Sequence, residues 1–327
     1  MRCIDKRIFV CILCLVLMMP LVACGNTKYD LPYKRNNESS SLSLAGQNTL
    51  KQLATPFASE LCISTSDKGN AEVDLAEISA AGLFDLNKKK TIYAKGLNHV
   101  LHPASLTKVM TALVALKNCP LEDVLTATEN VKITEAGAQL CGLNPGDRMT
   151  LDQALHVLLI YSANDVAVMI AEHVGGTVEN FVNMMNEELL ALGATNSHFM
   201  NPNGLTEEDH YVTAYDMYLI FNEAIQYSAF TEIIQMSTYD TVYYDGNGVE
   251  KELKVENTNL YKKGNYESPS GVTVIGGKTG TTNAAGHCII LYVKDTAGSP
   301  YISIMMNATS RDSLYGKMSD LLQEVQP

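Results

Sequence analysis

An α/β domain, with a central antiparallel sheet flanked by helices and a mostly helical subdomain beside it, is the fold that this sequence predicts. Three observations predict it. Residues 271–306 alternate β-branched and apolar segments with the short turns Asn283-Ala-Ala-Gly286 and Ala297-Gly-Ser-Pro300, and strands joined by such turns run antiparallel. Helix-forming runs dominate from Ser105 to about Gln226, with apolar residues at helical spacing. The chain of 327 residues is 46% apolar, and the part beyond an N-terminal leader and linker, about 270 residues, is long enough for one sizeable core.

The elements follow in order. Arg2, Lys6 and Arg7 precede an apolar run from Ile8 to Val22, which has the length of a signal-peptide core rather than of a membrane span. Asp5 dilutes the basic region without abolishing it. The run ends Leu21-Val22-Ala23-Cys24, which resembles a bacterial lipobox. Residues 1–23 are therefore expected to be a lipoprotein signal peptide and Cys24 the lipidated first residue of an exported protein held at the outer face of the cell membrane. Residues 24–55, with Asn36-Asn-Glu-Ser-Ser-Ser-Leu-Ser, lack apolar periodicity and read as a flexible linker, spanning on the order of 30 Å as a coil. One domain, 56–327, is expected to follow.

Within it, strands precede Ser105, and Lys88-Lys89-Lys90 after Asn87 suits a solvated hairpin turn. Leu151 to Tyr161 is an apolar helical run that stops at Ser162-Ala163-Asn164-Asp165, and Asn164 suits the cap of a helix continuing through Val166 to His173. Val178 to Leu192 is helical, with Glu187 and Glu188 expected in solvent. Residues 195–205 form a loop and 236–255 are β-rich. Strands are expected near 272–282, 286–294 and 300–307, and a last helix from about Asp312. No internal repeat is visible.

Three short patterns carry chemistry. In Ser105-Leu-Thr-Lys108 the segment after Pro103 is rich in helix formers, so Ser105 sits near a helix start. Residues three apart share a helix face, which places the Lys108 amine one turn from the Ser105 hydroxyl, as a base beside a nucleophile. A lysine near its reference pKa of about 10.4 is a poor base, but burial and a second cation both favour the neutral amine, and Lys278 is a candidate for that cation. The free N–H groups of a helix start suit a developing oxyanion.

In Ser162-Ala-Asn164 the Ser162 hydroxyl suits proton relay to a leaving amine, and the Asn164 amide suits holding either Lys108 or a substrate carbonyl. Both residues also suit helix capping alone. In Gly276-Gly-Lys278-Thr-Gly-Thr281 small residues let a ligand's backbone approach a strand. Lys278 and Thr279 suit a terminal carboxylate, Gly280 removes a side chain, and the Thr281 N–H pairs with that of Ser105 as oxyanion donor. Each pattern alone is weak, since about one Ser-x-x-Lys arises by chance in a chain of this length. Their joint order is not.

The three patterns together resemble the serine D-alanyl-D-alanine carboxypeptidases, low-molecular-mass penicillin-binding proteins whose fold is shared with class A β-lactamases. The resemblance covers roughly residues 56 to 326. It extends to His102-Pro-Ala-Ser-Leu-Thr-Lys-Val-Met-Thr-Ala-Leu, Leu143-Asn-Pro-Gly-Asp, Asn201-Pro-Asn-Gly-Leu205, His210-Tyr-Val-Thr-Ala214 and Ser310-Arg-Asp-Ser-Leu-Tyr315. It implies a β-lactamase/transpeptidase-like fold, Ser105 as nucleophile and Lys108 as its base. It also implies a peptidoglycan stem peptide ending in D-Ala-D-Ala as substrate, and β-lactams as covalent inhibitors. Two departures stand out. Where relatives often continue Tyr-x-Thr-Ala with Arg-Asp, this chain has Tyr215-Asp216, so an ion pair is expected to be missing. Arg311 is offset from the arginine that some relatives use for the substrate carboxylate, and it is left out of the expected site.

Class A β-lactamases clear their acyl-enzyme with a water held by a glutamate, normally in Glu-x-x-Leu-Asn. That sequence is absent between Ser162 and Lys278. Penicillin is therefore expected to inhibit through a long-lived acyl-enzyme. The net charge of −12 argues against nucleic acid as a partner. Loss of residues 1–23, three basic and one acidic, makes it −14. Cys62, Cys119, Cys141 and Cys288 remain beyond Cys24, and four cysteines allow three pairings. No residues have metal-ligand spacing, His99 and His102 included, so neither metal nor cofactor is expected. The sequence thus points to a carboxypeptidase that releases terminal D-alanine. A D,D-endopeptidase or β-lactamase of the same fold, or a non-catalytic peptidoglycan-binding lipoprotein, are the alternatives.

Overall fold

The computed structural model describes residues 57–70 and 73–325. The expected signal segment 1–23, Cys24 and the linker 24–55 lie outside the described residues. The main sheet has the order β2-β1-β9-β8-β7, built from β1 (Ile78–Asp85), β2 (Lys90–Lys95), β7 (Val272–Thr282), β8 (Gly286–Asp295) and β9 (Pro300–Ala308). Every pairing in it is antiparallel, as the short turns required. The first and last parts of the domain meet here, because β1 registers with β9 from Ile78↔Ala308 to Asp85↔Tyr301.

Period-two alternation sorts the strand residues onto two apolar layers. Cys288, Ile290, Ile302, Ile304 and Met306 join Phe84 and the helical subdomain in one core. Ile289, Leu291, Val293, Tyr301 and Met305 join Leu83 and a second core. That second layer is closed by Leu314, Met318, Leu321 and Leu322 of the last helix, α8 (Arg311–Leu322). Ser310 caps this helix by accepting from the Ser313 N–H at 3.0 Å.

The helical subdomain forms around α1 (Thr107–Asn118), in which every residue from Thr107 to Ala115 is buried. A helix covered on all sides belongs to the interior, and Met110 and Leu113 each contribute roughly 1.5–3 kcal/mol through burial. Around it lie α2 (Leu151–His156), α3 (Asn164–Gly175), α4 (Val178–Leu192), α5 (Ala214–Ala224) and α6 (Ser228–Ile234), with a single short turn, α7 (Leu260–Lys263), farther on. The N-termini of α4 and α5 are capped by Thr177 and Thr213, which accept from Asn180 N–H and Asp216 N–H.

A second antiparallel sheet has the order β3-β4-β5-β6, from β3 (Val124–Thr126), β4 (Arg148–Thr150), β5 (Thr238–Tyr244) and β6 (Glu250–Glu256). The β-rich stretch 236–255 matches its hairpin. The three-residue β3 and β4 were not foreseen, because three residues carry almost no alternation.

Two expectations need correction. Asn164 does not cap α3: the cap position is Ala163, without a side-chain hydrogen bond, and the Asn164 amide points elsewhere. Glu188 is not free in solvent but accepts from Lys117 Nζ at 2.7 Å. At the Tyr215-Asp216 departure, neutral donors replace an ion pair. Buried Asp216 accepts from Asn196 N–H at 2.9 Å and Ser197 Oγ at 2.7 Å, while the Tyr215 hydroxyl donates to the Cys62 carbonyl at 3.0 Å. Burial pushes the Asp216 carboxyl up, and the Ser197 and Asn196 donors oppose that shift.

Candidate active site

Ser105 lies in a tight helical turn, Ala104–Leu106, that leads into α1. The turn is strained, since Ala104 has φ +47°, where an alanine costs roughly 1–2 kcal/mol. Its surroundings hold it there. Thr107 Oγ1 donates to the Ala104 carbonyl at 2.8 Å and lies 2.9 Å from His210 Nε2. The Met200 N–H donates to His210 Nδ1 at 3.2 Å, so the ring proton sits on Nε2 and points at Thr107. Burial, with His102 next, pushes the His210 pKa down to about 3, which keeps this relay neutral. Gly204 presses on the same turn: with φ +86°, an added Cβ would lie 1.9 Å from the Ala104 carbonyl oxygen.

One helical turn on, Lys108 Nζ lies 2.9 Å from Ser105 Oγ, 2.7 Å from Asn164 Oδ1 and 2.6 Å from the Asn203 carbonyl oxygen. Its side chain is fully buried. Burial, then the nearby Lys278 charge, hold its pKa well below the usual lysine value, with Asp165 opposing. The two carbonyl oxygens can only accept, so a neutral Lys108 gives its two N–H protons to them and keeps its lone pair for the Ser105 hydroxyl. That is the arrangement of a general base.

Ser162 follows an under-wound turn of π geometry, Val157–Tyr161, and has left-handed backbone, φ 71° and ψ 33°. Such bulges recur at functional sites. This conformation sets Ser162 Oγ 2.9 Å from Lys278 Nζ, which also donates to the Thr279 carbonyl at 2.8 Å. Lys278 is buried in β7, and burial lowers its pKa to about 7. Thr279 Oγ1 lies 2.6 Å from Thr258 Oγ1.

β7 is an edge strand, so its outer face of backbone groups is available to an extended peptide. Its glycines answer to close approach. A Cβ on Gly276 would lie 2.0 Å from the Ile234 carbonyl oxygen, and one on Gly280 would lie 2.9 Å from the Ser105 amide nitrogen. Gly280 is thus the point where β7 meets the Ser105 turn.

The loop 135–143 forms the opposite wall. Its Gln139 carbonyl accepts from the Asn164 N–H at 2.8 Å. The loop is pinned by buried Asp165, whose Oδ2 accepts from Gly142 N–H at 2.8 Å and Leu143 N–H at 3.1 Å, while Oδ1 accepts from Cys141 N–H at 3.2 Å. Truncation by Asp165→Ala leaves these amides without acceptors. It is expected to cost about 2–3 kcal/mol in urea unfolding, with Asp165→Asn, which keeps one acceptor, in between.

These elements enclose a cleft of about 800 Å³ lined by Ser105, Ser162, Asn164, Thr279, Gly280 and Thr281, with Glu135, Lys263 and Arg311 also on its walls. Lys108 and Lys278 lie against it, buried and bonded to Ser105 and Ser162. All the expected site residues of the domain are therefore gathered in one place, and Cys24 alone lies outside the described residues. Several residues that belong here were missed. The Asn203 carbonyl has no side-chain signature, although Asn-Pro-Asn-Gly is a turn signal. Asp165 is adjacent to Asn164, but the loop amides it accepts from lie more than twenty positions away. Arg311, set aside on sequence offset, reaches the cleft because α8 starts beside it. Among the described residues, those hydrogen-bonded to the Lys108 amine are Ser105, Asn164 and Asn203, with no carboxylate among them.

A buried lysine beside a serine, under a glycine-rich strand edge, suits acyl transfer, and the comparisons agree on the class. The family profile for D-alanyl-D-alanine carboxypeptidases, Peptidase_S11, matches residues 68–310. The chain belongs to that family. It is 35% identical over 222 residues to the D-alanyl-D-alanine carboxypeptidase DacF of Bacillus subtilis, covering 67% of this chain and 54% of that one. The chain thus spans about half the length of this curated relative. Among solved structures, the Streptomyces K15 DD-transpeptidase superposes with a TM-score of 0.70 at 24% identity, over 76% of this chain and 96% of that one. A D-alanyl-D-alanine carboxypeptidase from Mycobacterium tuberculosis H37Rv gives a TM-score of 0.67 at 27% identity, over 76% and 92%.

Proposed function

We propose that the protein is a serine-type D-Ala-D-Ala carboxypeptidase that removes terminal D-alanine from peptidoglycan stem peptides. The observation that carries this reading is the Lys108 amine, buried, held by two carbonyl oxygens and 2.9 Å from Ser105 Oγ. Neutral Lys108 takes the Ser105 proton as Oγ bonds to the penultimate carbonyl carbon. The oxyanion is received by the Ser105 and Thr281 N–H groups. A proton reaches the leaving amine through Ser162, the C–N bond breaks, and D-alanine departs. Water then cleaves the Ser105 ester and returns a proton to Oγ. Asn164 orients Lys108, and Lys278 and Thr279 bind the terminal carboxylate at the edge of β7. The absence of a carboxylate from the hydrogen-bond partners of Lys108 supports slow clearance of a penicilloyl group.

The membrane side of this reading rests on sequence. The basic and apolar leader and Leu21-Val22-Ala23-Cys24 support export, cleavage before Cys24 and lipid anchoring at the outer face of the membrane, with residues 24–55 as tether and 56–327 as the catalytic domain. Among the described residues no helix is long and apolar enough to cross a membrane, and Cys62, Cys119, Cys141 and Cys288 are free thiols.

The test is D-alanine release from a Lys-D-Ala-D-Ala tripeptide. The purified protein is expected to release it and Ser105→Ala to release none. Absence of release by the parent enzyme contradicts the reading, and equal release by both contradicts the assignment of Ser105.

A further inference from the structure

On the far side of the helical subdomain the fold gathers three ligand-type side chains that sequence spacing did not connect. Cys119 closes α1, Asp123 ends the turn that follows it, and His173 lies in the last turn of α3. Cys119 Sγ is 3.3 Å from Asp123 Oδ2, and His173 Nε2 is 3.5 Å from the same oxygen. All three ligand atoms lie within 4.8 Å of one another. We propose that Cys119, Asp123 and His173 form a binding site for a zinc-type divalent cation, with water as the fourth ligand.

The spacing fits. A tetrahedral zinc ion with bonds of about 2.0–2.3 Å holds its ligand atoms about 3.3–3.7 Å apart, and two of the three separations already have such values. The third closes by rotation of His173, which is partly exposed. The donor set selects the metal class, because one thiolate, one imidazole and one carboxylate suit zinc, whereas magnesium and calcium prefer oxygen alone.

The backbone beneath is set in place. Cys119 N–H donates to the Ala115 carbonyl at 3.0 Å and Asp123 N–H to the Pro120 carbonyl at 3.2 Å, while the Asp123 carbonyl accepts from Leu151 N–H at 2.8 Å. Cys119 is a free thiol, and among the described residues the ion-pair partner of Asp123 is His173.

The site ties the C-terminal ends of α1 and α3 together. The N-terminal ends of the same helices carry Lys108 and Asn164, about 15 Å away at 1.5 Å per residue. A bound cation therefore braces the two helices that hold the catalytic groups without touching the cleft.

The probe is cobalt(II), titrated into chelator-treated full-length protein, because thiolate ligation gives a near-ultraviolet charge-transfer band. The expected result is a band that saturates at one cobalt per chain, is displaced by zinc, and is accompanied by a raised Tm. Cys119→Ser is expected to lose the band, and His173→Ala to weaken binding at least tenfold. Cys62→Ser, altered at a thiol elsewhere, is expected to keep both. Rates of penicillin labelling report whether each variant is folded, since none of these residues lines the cleft. A band that survives Cys119→Ser, affinity unchanged by His173→Ala, or no cobalt binding by the folded parent would overturn the proposal.

Discussion

Replacement of Lys108 by methionine is expected to lower the rate of Ser105 acylation by about 10²- to 10⁴-fold, the range for loss of a positioned general base. The effect is specific to the proton acceptor. Methionine fills nearly the same buried volume, so the packing of α1 is retained. Removing a buried amine also relieves its desolvation, which offsets the loss of donors to Asn164 Oδ1 and the Asn203 carbonyl. Lys108→Arg is expected to be as inactive as Lys108→Met, because a guanidinium stays protonated.

The pH dependence separates this role from a structural one. Lys108 must be neutral to act, so acylation by the parent enzyme rises with pH as that amine loses its proton. Burial and the charge of Lys278 hold its pKa well below the ordinary lysine value, which brings the rise toward neutral pH. In Lys108→Met that limb is expected to vanish. Stopped-flow acylation by a chromogenic penicillin across pH, with unfolding curves of each variant, measures both.

The second large effect is expected at Gly280. An alanine there sets a Cβ 2.9 Å from the Ser105 amide nitrogen and 3.1 Å from the Pro103 carbonyl oxygen and the Ala104 Cβ. Contacts that short force β7 away from the Ser105 turn, or the turn away from β7. Either movement separates the Ser105 and Thr281 N–H groups, and loss of one oxyanion donor costs about 10²- to 10³-fold. Gly280→Ala is therefore expected to acylate about 10²-fold more slowly, with an unfolding penalty of about 1–3 kcal/mol from overpacking. Gly316→Ala is the matched control. Its Cβ meets nothing within 4 Å, and its acylation rate is expected to be that of the parent.

Much of this was legible because it is written in side chains. The strands β7 to β9 are runs rich in apolar and β-branched residues joined by turns of a few residues, so composition and punctuation agree. Ser105 and Lys108 share one helical turn, where spacing translates directly into contact. Lys278 sits in a run of glycines whose small size has a local purpose.

What stayed hidden depends on backbone or on distant neighbours. The Asn203 carbonyl reaches Lys108 through main chain, which any residue could supply. Asn164 reads as a helix cap until the cap position is seen to fall one residue earlier, on Ala163, with the Asn164 amide turned to Lys108. The positive φ of Ala104 and Ser162 has no sequence signal, because neither is glycine. His210 matters through Thr107, more than a hundred positions away. Cys119 and His173 are likewise joined only by the packing of α1 against α3.

The central claim is that Lys108 activates Ser105 as an acylating nucleophile, and the most direct measurement is mass spectrometry of the protein after exposure to benzylpenicillin. The account predicts one penicilloyl adduct per chain, located by peptide mapping on Ser105, persisting long after free drug is removed, and absent from Ser105→Ala. An adduct on Ser162 or any other residue, or rapid penicillin hydrolysis with no adduct, would contradict it.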